Sequence, residues 1–205
     1  QRKVSEGLNR WDECKTLVLR NMGRFMADGQ ANIAQVGDDF GVMIEQGLVN
    51  KGDKALLARA LTLPAIAVIA QMQNVIDPAA IDNARTHILK TIKLTHKEAL
   101  QRLYQDNSNT GEFSLSPAAM GRRALQNTVL ELLTVTNGTG CAVLAKAHYD
   151  AADNMTDLVA AISCLSDSSQ AQREEVLADF YRRIKGYPLV GDKCFSLHWI
   201  ENTGA

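Results

Sequence analysis

Histidine is the side chain that most often binds a catalytic metal, and this chain has four: His87, His96, His148 and His198. None of them begins the sequence H-E-x-x-H, in which two histidines one helical turn apart hold zinc and the glutamate activates water. The one carboxylate-rich neighbourhood is that of His148, which precedes Asp150 and Asp153. We interpret these three residues as an exposed helix end, since charged helix ends are normally solvated. The sequence therefore predicts no catalytic residue and no metal ligand in this chain.

Nucleophilic catalysis would need an activated serine or cysteine, and the sequence has no G-x-S-x-G motif. The cysteines are widely spaced and form no C-x-x-C pair: Cys14, Cys141, Cys164 and Cys194. We expect reduced, partly buried thiols and a cytoplasmic protein. A thiol enzyme built on Cys14 or Cys164 is an alternative that requires a lowered cysteine pKa. Gly138 and Gly140 follow Asn137 and are typical of a turn, not of a phosphate-binding loop.

Two adjacent arginines, Arg122 and Arg123, are candidates for pairing with a carboxylate of a partner or with a peptide terminus, because guanidinium groups suit that geometry. We interpret them first as interhelix or interdomain ion pairs, or as a solvated face. Trp11 follows Arg10 in a polar setting, and we expect it to be a packing anchor whose indole N–H is bonded nearby.

The composition indicates a helical protein that binds neither nucleic acid nor membranes. The net charge is -1 and the charged residues, 22% of the chain, are well mixed. The sequence therefore predicts no strong positive potential that would attract nucleic acid or an acidic membrane. Hydrophobic residues reach 46% but aromatics only 5%, a balance that favours helices over a β fold. The longest apolar stretch, at about residues 63–70, is far shorter than the roughly 20 residues of a membrane-spanning helix.

Apolar spacing and capping residues predict about ten helices. Asp77-Pro78 and Ser116-Pro117 are the clearest starts, because each places an N-cap before a proline in the first turn. Further helices are expected at about 4–27, 40–49, 53–61, 64–73, 140–151, 157–165, 170–185 and from 190 onward. Short helices joined by short loops predict one all-α domain over residues 1–205, built of stacked antiparallel helix pairs as either a globular bundle or a curved α-solenoid.

Finer predictions concern single residues in these helices. We expect Asp38 or Asp39 to cap the helix at 40–49, and Thr156 to cap the helix at 157–165. The helix at 64–73 is apolar all round and is predicted to lie buried between other layers. Lys90 and Lys93 are expected to be ordinary surface lysines.

Seven short motifs occur in the same order, and with similar spacing, as in one known family. They are Asn9-Arg10-Trp11-Asp12-Glu13, Ala60-Leu61-Thr62-Leu63-Pro64, Ile76-Asp77-Pro78, Gly121-Arg122-Arg123-Ala124-Leu125-Gln126-Asn127, Asn154-Met155-Thr156-Asp157 with Ala160-Ala161, Leu177-Ala178-Asp179-Phe180-Tyr181, and Asp192-Lys193-Cys194-Phe195. Over roughly residues 8–200 the chain resembles the C-terminal helical domain of the aminopeptidase N family of zinc-dependent alanyl aminopeptidases.

The resemblance implies a larger parent enzyme that hydrolyses N-terminal amino acids from peptides, with its zinc held through H-E-x-x-H in a domain absent from this chain. The chain would be the beginning and middle of a superhelix that walls the active-site chamber and limits access. The closing helices of that domain would lie beyond Ala205. The implied partners are the parent's catalytic domain and its peptide substrates. We expect interdomain or structural roles for Arg10, Trp11, Arg122, Arg123, Asn154, Thr156 and Asp157.

The chain departs from the family pattern at two places. After Leu63-Pro64 the family usually carries acidic or polar residues, whereas this chain has Ala65-Ile66-Ala67-Val68, so a carboxylate contact is not expected there. Lys193-Cys194-Phe195 stands where Lys-Trp-Phe is common. The alternative to an aminopeptidase domain is a non-enzymatic α-solenoid adaptor that binds a partner peptide or protein along its concave face. An upstream H-E-x-x-H in the parent reading frame would distinguish the two.

Overall fold

The computed structural model describes residues 16, 33–49, 53–71, 73, 76–108, 111–135, 139–165 and 171–185. Within these ranges all regular structure is helical and no strand occurs, so the predicted all-α class is confirmed. The described helices are α1 (Ile33–Val49), α2 (Lys54–Leu61), α3 (Ile66–Ala70), α4 (Pro78–Asp106), α5 (Pro117–Thr134), α6 (Thr139–Ala151), α7 (Met155–Leu165) and α8 (Ala171–Ile184). The helices predicted at about 4–27 and from 190 onward lie outside the described residues.

Side-chain caps begin the helices where the sequence predicted them. Asp53 accepts hydrogen bonds from the backbone N–H groups of Ala55 and Leu56, both at 3.0 Å, and so starts α2. The Ser116 hydroxyl accepts from the N–H of Ala119 at 3.3 Å at the start of α5. Each bond satisfies a donor that the first turn of a helix leaves without an intrahelical acceptor.

The cap of α4 offers a direct test of this local chemistry. The Asp77 carboxylate accepts from the N–H of Ala80 at 3.0 Å. Replacing Asp77 with Ala should lower the free energy of unfolding by about 1 kcal/mol, because the substitution removes that acceptor. Urea unfolding followed by far-UV circular dichroism measures the change. Asp82→Ala, at an exposed position of the same helix, is the control and should change stability by less than about 0.5 kcal/mol. Equal losses in the two variants would contradict the capping role.

Helix α1 begins at Ile33, seven residues before the predicted start. The prediction that Asp38 or Asp39 caps a helix is therefore wrong, because both residues lie inside α1. Local cap propensity is a weak preference that tertiary packing overrides. Here Phe40 and Ile44, one turn apart, are both buried and hold this side of α1 in the core. Asp38 can remain inside the helix because its side chain is exposed.

Helix α3 is shorter and more exposed than predicted. It runs only from Ile66 to Ala70, and Ile69 is its single buried residue, so the prediction of a helix buried on all sides is wrong for the described residues. Although this is the most apolar stretch of the sequence, no described helix combines the length and apolarity needed to cross a membrane.

Helix α4 has one apolar face, on which four residues spaced three or four apart are all buried: Ile81, Ala84, Ile88 and Ile92. Lys90 is exposed as expected. Lys93 is buried, so the expectation that it is a surface lysine is wrong. Leu89, one turn before Lys93, is also buried, and the buried face of α4 is therefore wider than the strict periodicity indicated. The aliphatic stem of a lysine can lie along such a face.

Helix α4 bends at His96, whose dihedral angles (φ -118°, ψ 23°) are not helical. The His96 imidazole lies against Gly41 on α1. A Cβ atom at Gly41 would be 2.5 Å from Cε1 and 2.9 Å from Nε2 of this ring. Gly41 thus permits a close approach that no other residue would allow without movement of the ring.

The described residues divide into two compact units. The first contains α1 to α4 and α5 up to Leu132. The second contains residues 111–113 and the residues from Leu133 onward. In the second unit α6, α7 and α8 pack together. They enclose a core of Ala142, Ala145, Tyr149, Leu158, Ala161, Ile162, Leu165, Val176, Phe180 and Ile184. Repeats of three and four residues place these side chains on one face of each helix.

Candidate functional site

The motif Asn154-Met155-Thr156-Asp157 forms the start of α7, and its cap is Asn154. The Asn154 side-chain oxygen accepts from the N–H of Asp157 at 3.0 Å. Its amide nitrogen donates to the carboxylates of Asp157 (2.7 Å) and Asp153 (2.9 Å). The prediction that Thr156 is the cap is wrong, because Thr156 is an exposed residue within the first turn.

His148 and Asp157 bring two titratable groups into the interior of the second unit. Both side chains are buried, so the interpretation of His148 as part of an exposed helix end is wrong. Asp150 and Asp153 are exposed, as that interpretation expected. Burial lowers the pKa of His148, and the negative charge of Asp157 acts in the opposite direction. The sequence carried a signal for this burial, because His148 lies three residues after Ala145 on the apolar face of α6.

A hydrogen-bonded cluster connects α6 to α8. The Tyr149 hydroxyl donates to Asp179 at 3.0 Å, and the Arg183 guanidinium donates to the same carboxylate oxygen at 2.7 Å. Arg183 also lies over the Tyr149 ring, 5.1 Å from its centroid, at a distance suited to a cation–π contact. Arg182 donates to the other Asp179 oxygen at 3.2 Å. Burial and the hydrogen bond to Asp179 raise the pKa of Tyr149 well above its usual range, so its hydroxyl remains a donor.

The Asp179 carboxylate should make stability depend on pH. Partial burial acts to raise its pKa, but the Tyr149 hydrogen bond and the positive charges of Arg183 and Arg182 outweigh that effect and lower it. A carboxyl whose pKa is lower in the folded chain stabilises it at pH values above about 4, and this contribution is lost as the pH falls through the folded-state value.

We therefore expect Asp179→Asn to lower the free energy of unfolding at pH 6, with a deficit that shrinks towards pH 3. Urea unfolding of both proteins across this pH range measures the difference. Tyr149→Phe, which removes only the hydroxyl, should cost about 1 kcal/mol at pH 6. A deficit of Asp179→Asn that grows towards pH 3 would contradict the assignment.

The motif that begins at Gly121 holds α5 in the first unit. A Cβ at Gly121 would lie 3.2 Å from the backbone nitrogen of Ala55, so glycine is the residue that fits against the start of α2. Gln126 donates to the Ser108 hydroxyl at 3.1 Å, just after the end of α4. These contacts give the motif a packing role that the sequence did not reveal.

The two arginines of this motif differ in their surroundings. Arg123 donates to the backbone carbonyl of Ser114 at 2.8 Å and so helps to fasten the segment before α5. Arg122 is exposed on the surface of the first unit. The expectation of interhelix or interdomain ion pairs for the two residues stays a prediction.

The remaining predicted residues fall partly outside the described chain. Arg10, Trp11, Cys14 and Cys194 lie outside it. Cys141 and Cys164 are both half-buried, as expected for small thiols in a helical core. The Cys141 thiol lies 3.6 Å from the carbonyl oxygen of Leu133, within hydrogen-bonding distance for sulfur.

The described motif residues act by capping and connecting helices. Asn154 begins α7, Asp179 joins α8 to α6, and Gly121 lets α5 approach α2. In the part of the chain that the structure describes, no three side chains of histidine, cysteine, aspartate or glutamate come together as a group able to hold a metal. The contacts of Asn154, Asp179 and Gly121 hold helices to one another, as in a scaffold.

Comparison with known proteins shows which proteins share this scaffold. The chain is 32% identical to aminopeptidase N of Caulobacter vibrioides over 191 residues, which are 92% of this chain and 22% of that protein. It is 27% identical to aminopeptidase N of Escherichia coli over 201 residues, 96% of this chain and 23% of that protein. The chain thus spans less than a quarter of the length of these relatives.

A solved structure shares the fold. The crystal structure of Legionella pneumophila aminopeptidase A in complex with aspartic acid matches with a TM-score of 0.77 over 92% of this chain and 23% of that one. The sequence identity is 19%, so this likeness concerns the fold alone.

A family model described as a domain of unknown function (DUF3458_C) with ARM repeats matches residues 2–203. ARM repeats stack helix pairs into a superhelix, so this match agrees with the fold class that the sequence predicted. The chain is thus an ARM-repeat helical domain. It belongs to this family and is a C-terminal domain of the aminopeptidase N family, which confirms the resemblance carried by the seven motifs.

Proposed function

We propose that this chain is a non-catalytic domain of a zinc metallo-aminopeptidase that hydrolyses N-terminal amino acids from peptides in the cytoplasm. The similarity of nearly the whole chain to aminopeptidase N relatives carries the proposal. The match of residues 2–203 to an ARM-repeat family agrees with it. The relatives are more than four times as long as the matched region, which leaves room for a separate catalytic domain. In this proposal, that catalytic domain is the partner of the chain.

The proposed role is to wall the active-site chamber and limit which peptides enter it. A wall must keep its shape, and two features of the described residues support this role. The buried core of α6 to α8 is continuous, and side-chain caps fix the starts of α2, α4, α5 and α7. Both features restrict local opening, which would otherwise let large substrates pass.

The residues described here do not form a site that could bind the zinc of the parent. No H-E-x-x-H occurs in the sequence, and the described residues bring together no set of three metal-binding side chains. We therefore expect the isolated chain to bind no stoichiometric zinc and to release no amino acid from alanine p-nitroanilide or from a peptide. Metal analysis after dialysis and a peptidase assay measure both. One tightly held zinc per chain, or turnover that scales with its concentration, would overturn the non-catalytic assignment.

The chamber role is tested in the parent enzyme. Two forms are compared, the whole parent and a parent from which this domain has been removed, with zinc content as the control for an intact catalytic domain. If the domain limits access, its removal should raise the kcat/KM ratio of a long peptide to alanine p-nitroanilide by about tenfold or more.

A constant ratio in a zinc-loaded truncated enzyme would contradict the wall role and favour the adaptor alternative. Should the truncated parent lose zinc, Phe180→Ala in the whole parent provides the same comparison. That substitution loosens the core of α6 to α8 and leaves the rest of the chain in place.

A further inference from the structure

Two ionisable side chains lie in the core of the second unit, beside the turn that joins α6 to α7. His148 lies in the last turn of α6 and Asp157 in the first turn of α7, and these two helices pack against each other. His148 is only 6% exposed and Asp157 only 4%. Because side chains that carry charge are seldom buried this deeply, the pair is a candidate for a role beyond packing.

Opposing effects act on a proton at the His148 ring. The negative charge of Asp157 favours the protonated ring, and so does the partial negative charge at the C-terminal end of a helix. Burial opposes the proton and is the larger effect, so the pKa of His148 is lowered from its ordinary value of 6.5. Ala145 and Tyr149, on the same side of α6, are buried as well. The ring is therefore neutral at pH 7, and a proton on it would place a positive charge in an apolar core.

Other charged groups also lie around this end of the second unit. Three charged residues of α8 approach α6 and bind Lys146 or Tyr149 there: Glu175, Asp179 and Arg183. Asp150, on α6, and Asp153, in the turn, are exposed, so water and salt screen their charges. Asp157 is the buried member of this set, and its charge is the one that acts on His148.

Asp157 also connects the His148 ring to the cap of α7. Its carboxylate accepts from the Asn154 amide at 2.7 Å, and its N–H donates to the Asn154 side-chain oxygen at 3.0 Å. A movement of Asp157 towards a charged ring, or its hydration, would disturb both bonds. The protonation state of His148 is therefore connected to the hydrogen bonds that begin α7.

We propose that His148 and Asp157 form an acid-sensitive contact, and that protonation of His148 below about pH 6.5 opens α6 from α7 near the turn. The opened form exposes the ring to water, so it binds a proton more readily than the closed form does. The closed contact is then fully stable above about pH 6.5 and loses stability as the pH falls below that value. This inference goes beyond the proposed function and does not depend on what the parent hydrolyses.

The range from pH 7 to pH 5 separates this contact from the cluster around Asp179. The pKa of the Asp179 carboxyl is lowered from 3.8, so that group stays charged throughout the range. Uptake of one proton can change the opening equilibrium by at most about tenfold per pH unit. We therefore expect local opening at the turn to become about threefold or more frequent between pH 7 and pH 5.

Backbone hydrogen exchange in the full-length parent, followed by mass spectrometry and corrected for the intrinsic effect of pH, measures this opening. Peptides that span residues 145–158 should lose about threefold or more protection between pH 7 and pH 5, relative to peptides from α2. His148→Gln should abolish this response. His87→Gln, at an exposed position of α4, is the matched control and should leave it unchanged. The same response in both variants, or none in the unmodified parent, would overturn the inference.

Deuterium exchange at the imidazole C2–H provides a second measurement, which reports the pKa of His148 in the unmodified parent and needs no variant to fold. We expect a midpoint below 6.5. Asp157→Asn should lower the midpoint further, because it removes the negative charge but keeps an oxygen that can accept from Asn154. A midpoint above 6.5, or one that Asp157→Asn raises or leaves unchanged, is incompatible with the proposed contact.

Discussion

Phe180→Ala should lower the free energy of unfolding of this chain by about 3–5 kcal/mol. Phe180 is completely buried in the middle of α8, and Val176 and Ile184, one turn away on either side, are buried with it. Removing the ring loses its transfer free energy and leaves a cavity that α6 and α7 cannot easily fill. Because typical domains are stable by only 5–15 kcal/mol, the loss should be visible as a large drop in the urea midpoint.

The neighbouring residue is the control for this prediction. Tyr181 follows Phe180 directly but is 53% exposed, so Tyr181→Ala makes a similar change in helix propensity without opening the core. We expect it to cost less than about 1 kcal/mol. If both substitutions destabilise the chain equally, the core described for α6, α7 and α8 is incorrect.

Gly41→Ala should destabilise the chain although alanine is the better helix former. Alanine would gain about 1 kcal/mol of helix propensity, but its Cβ would come within 2.5 Å of the His96 ring. Overpacking of this kind costs about 1–3 kcal/mol, so the free energy of unfolding should fall by up to about 2 kcal/mol, and by less if the His96 ring moves aside. Thermal unfolding of the single variant measures the net effect.

A double substitution separates the clash from other effects of alanine. In a His96→Ala background the ring is absent, and Gly41→Ala should then be neutral or stabilising. Gly140→Ala is the matched control, because nothing lies within 4 Å of a Cβ placed there, and it should not destabilise the chain. If Gly41→Ala costs the same with and without the His96 ring, α1 and the bend of α4 do not meet as described.

The sequence predicted those parts of the fold that depend on neighbouring residues. The start of α4 at Asp77-Pro78 needs only a cap acceptor and a proline, and both are visible in the sequence. The start of α1 was placed too late because Asp38 resembles a cap, and only the packing of Phe40 and Ile44 shows that the helix continues through it. The exposure of α3 was missed because an apolar stretch does not reveal whether this chain covers it.

In the candidate site, too, the sequence indicated local features but not the contacts between helices that are distant in the chain. The sequence indicated a helix start at 154–157 but selected Thr156, because asparagine and threonine are both good caps and differ only in where the first turn begins. The bond between Tyr149 and Asp179 joins residues thirty positions apart and depends on how α6 meets α8. Charge and residue type alone placed His148 at the surface, whereas its spacing from Ala145 indicated the interior.

The cap of α7 has a consequence for the chemical ageing of this protein. The Asn154 amide is the only donor group among three side chains that meet here, because Asp153 and Asp157 contribute carboxylates to the same contacts. Loss of ammonia from Asn154 would convert that donor into a third carboxylate and replace two hydrogen bonds with repulsion. A mass increase of one dalton at this residue would therefore accompany loosening of α7 in stored samples.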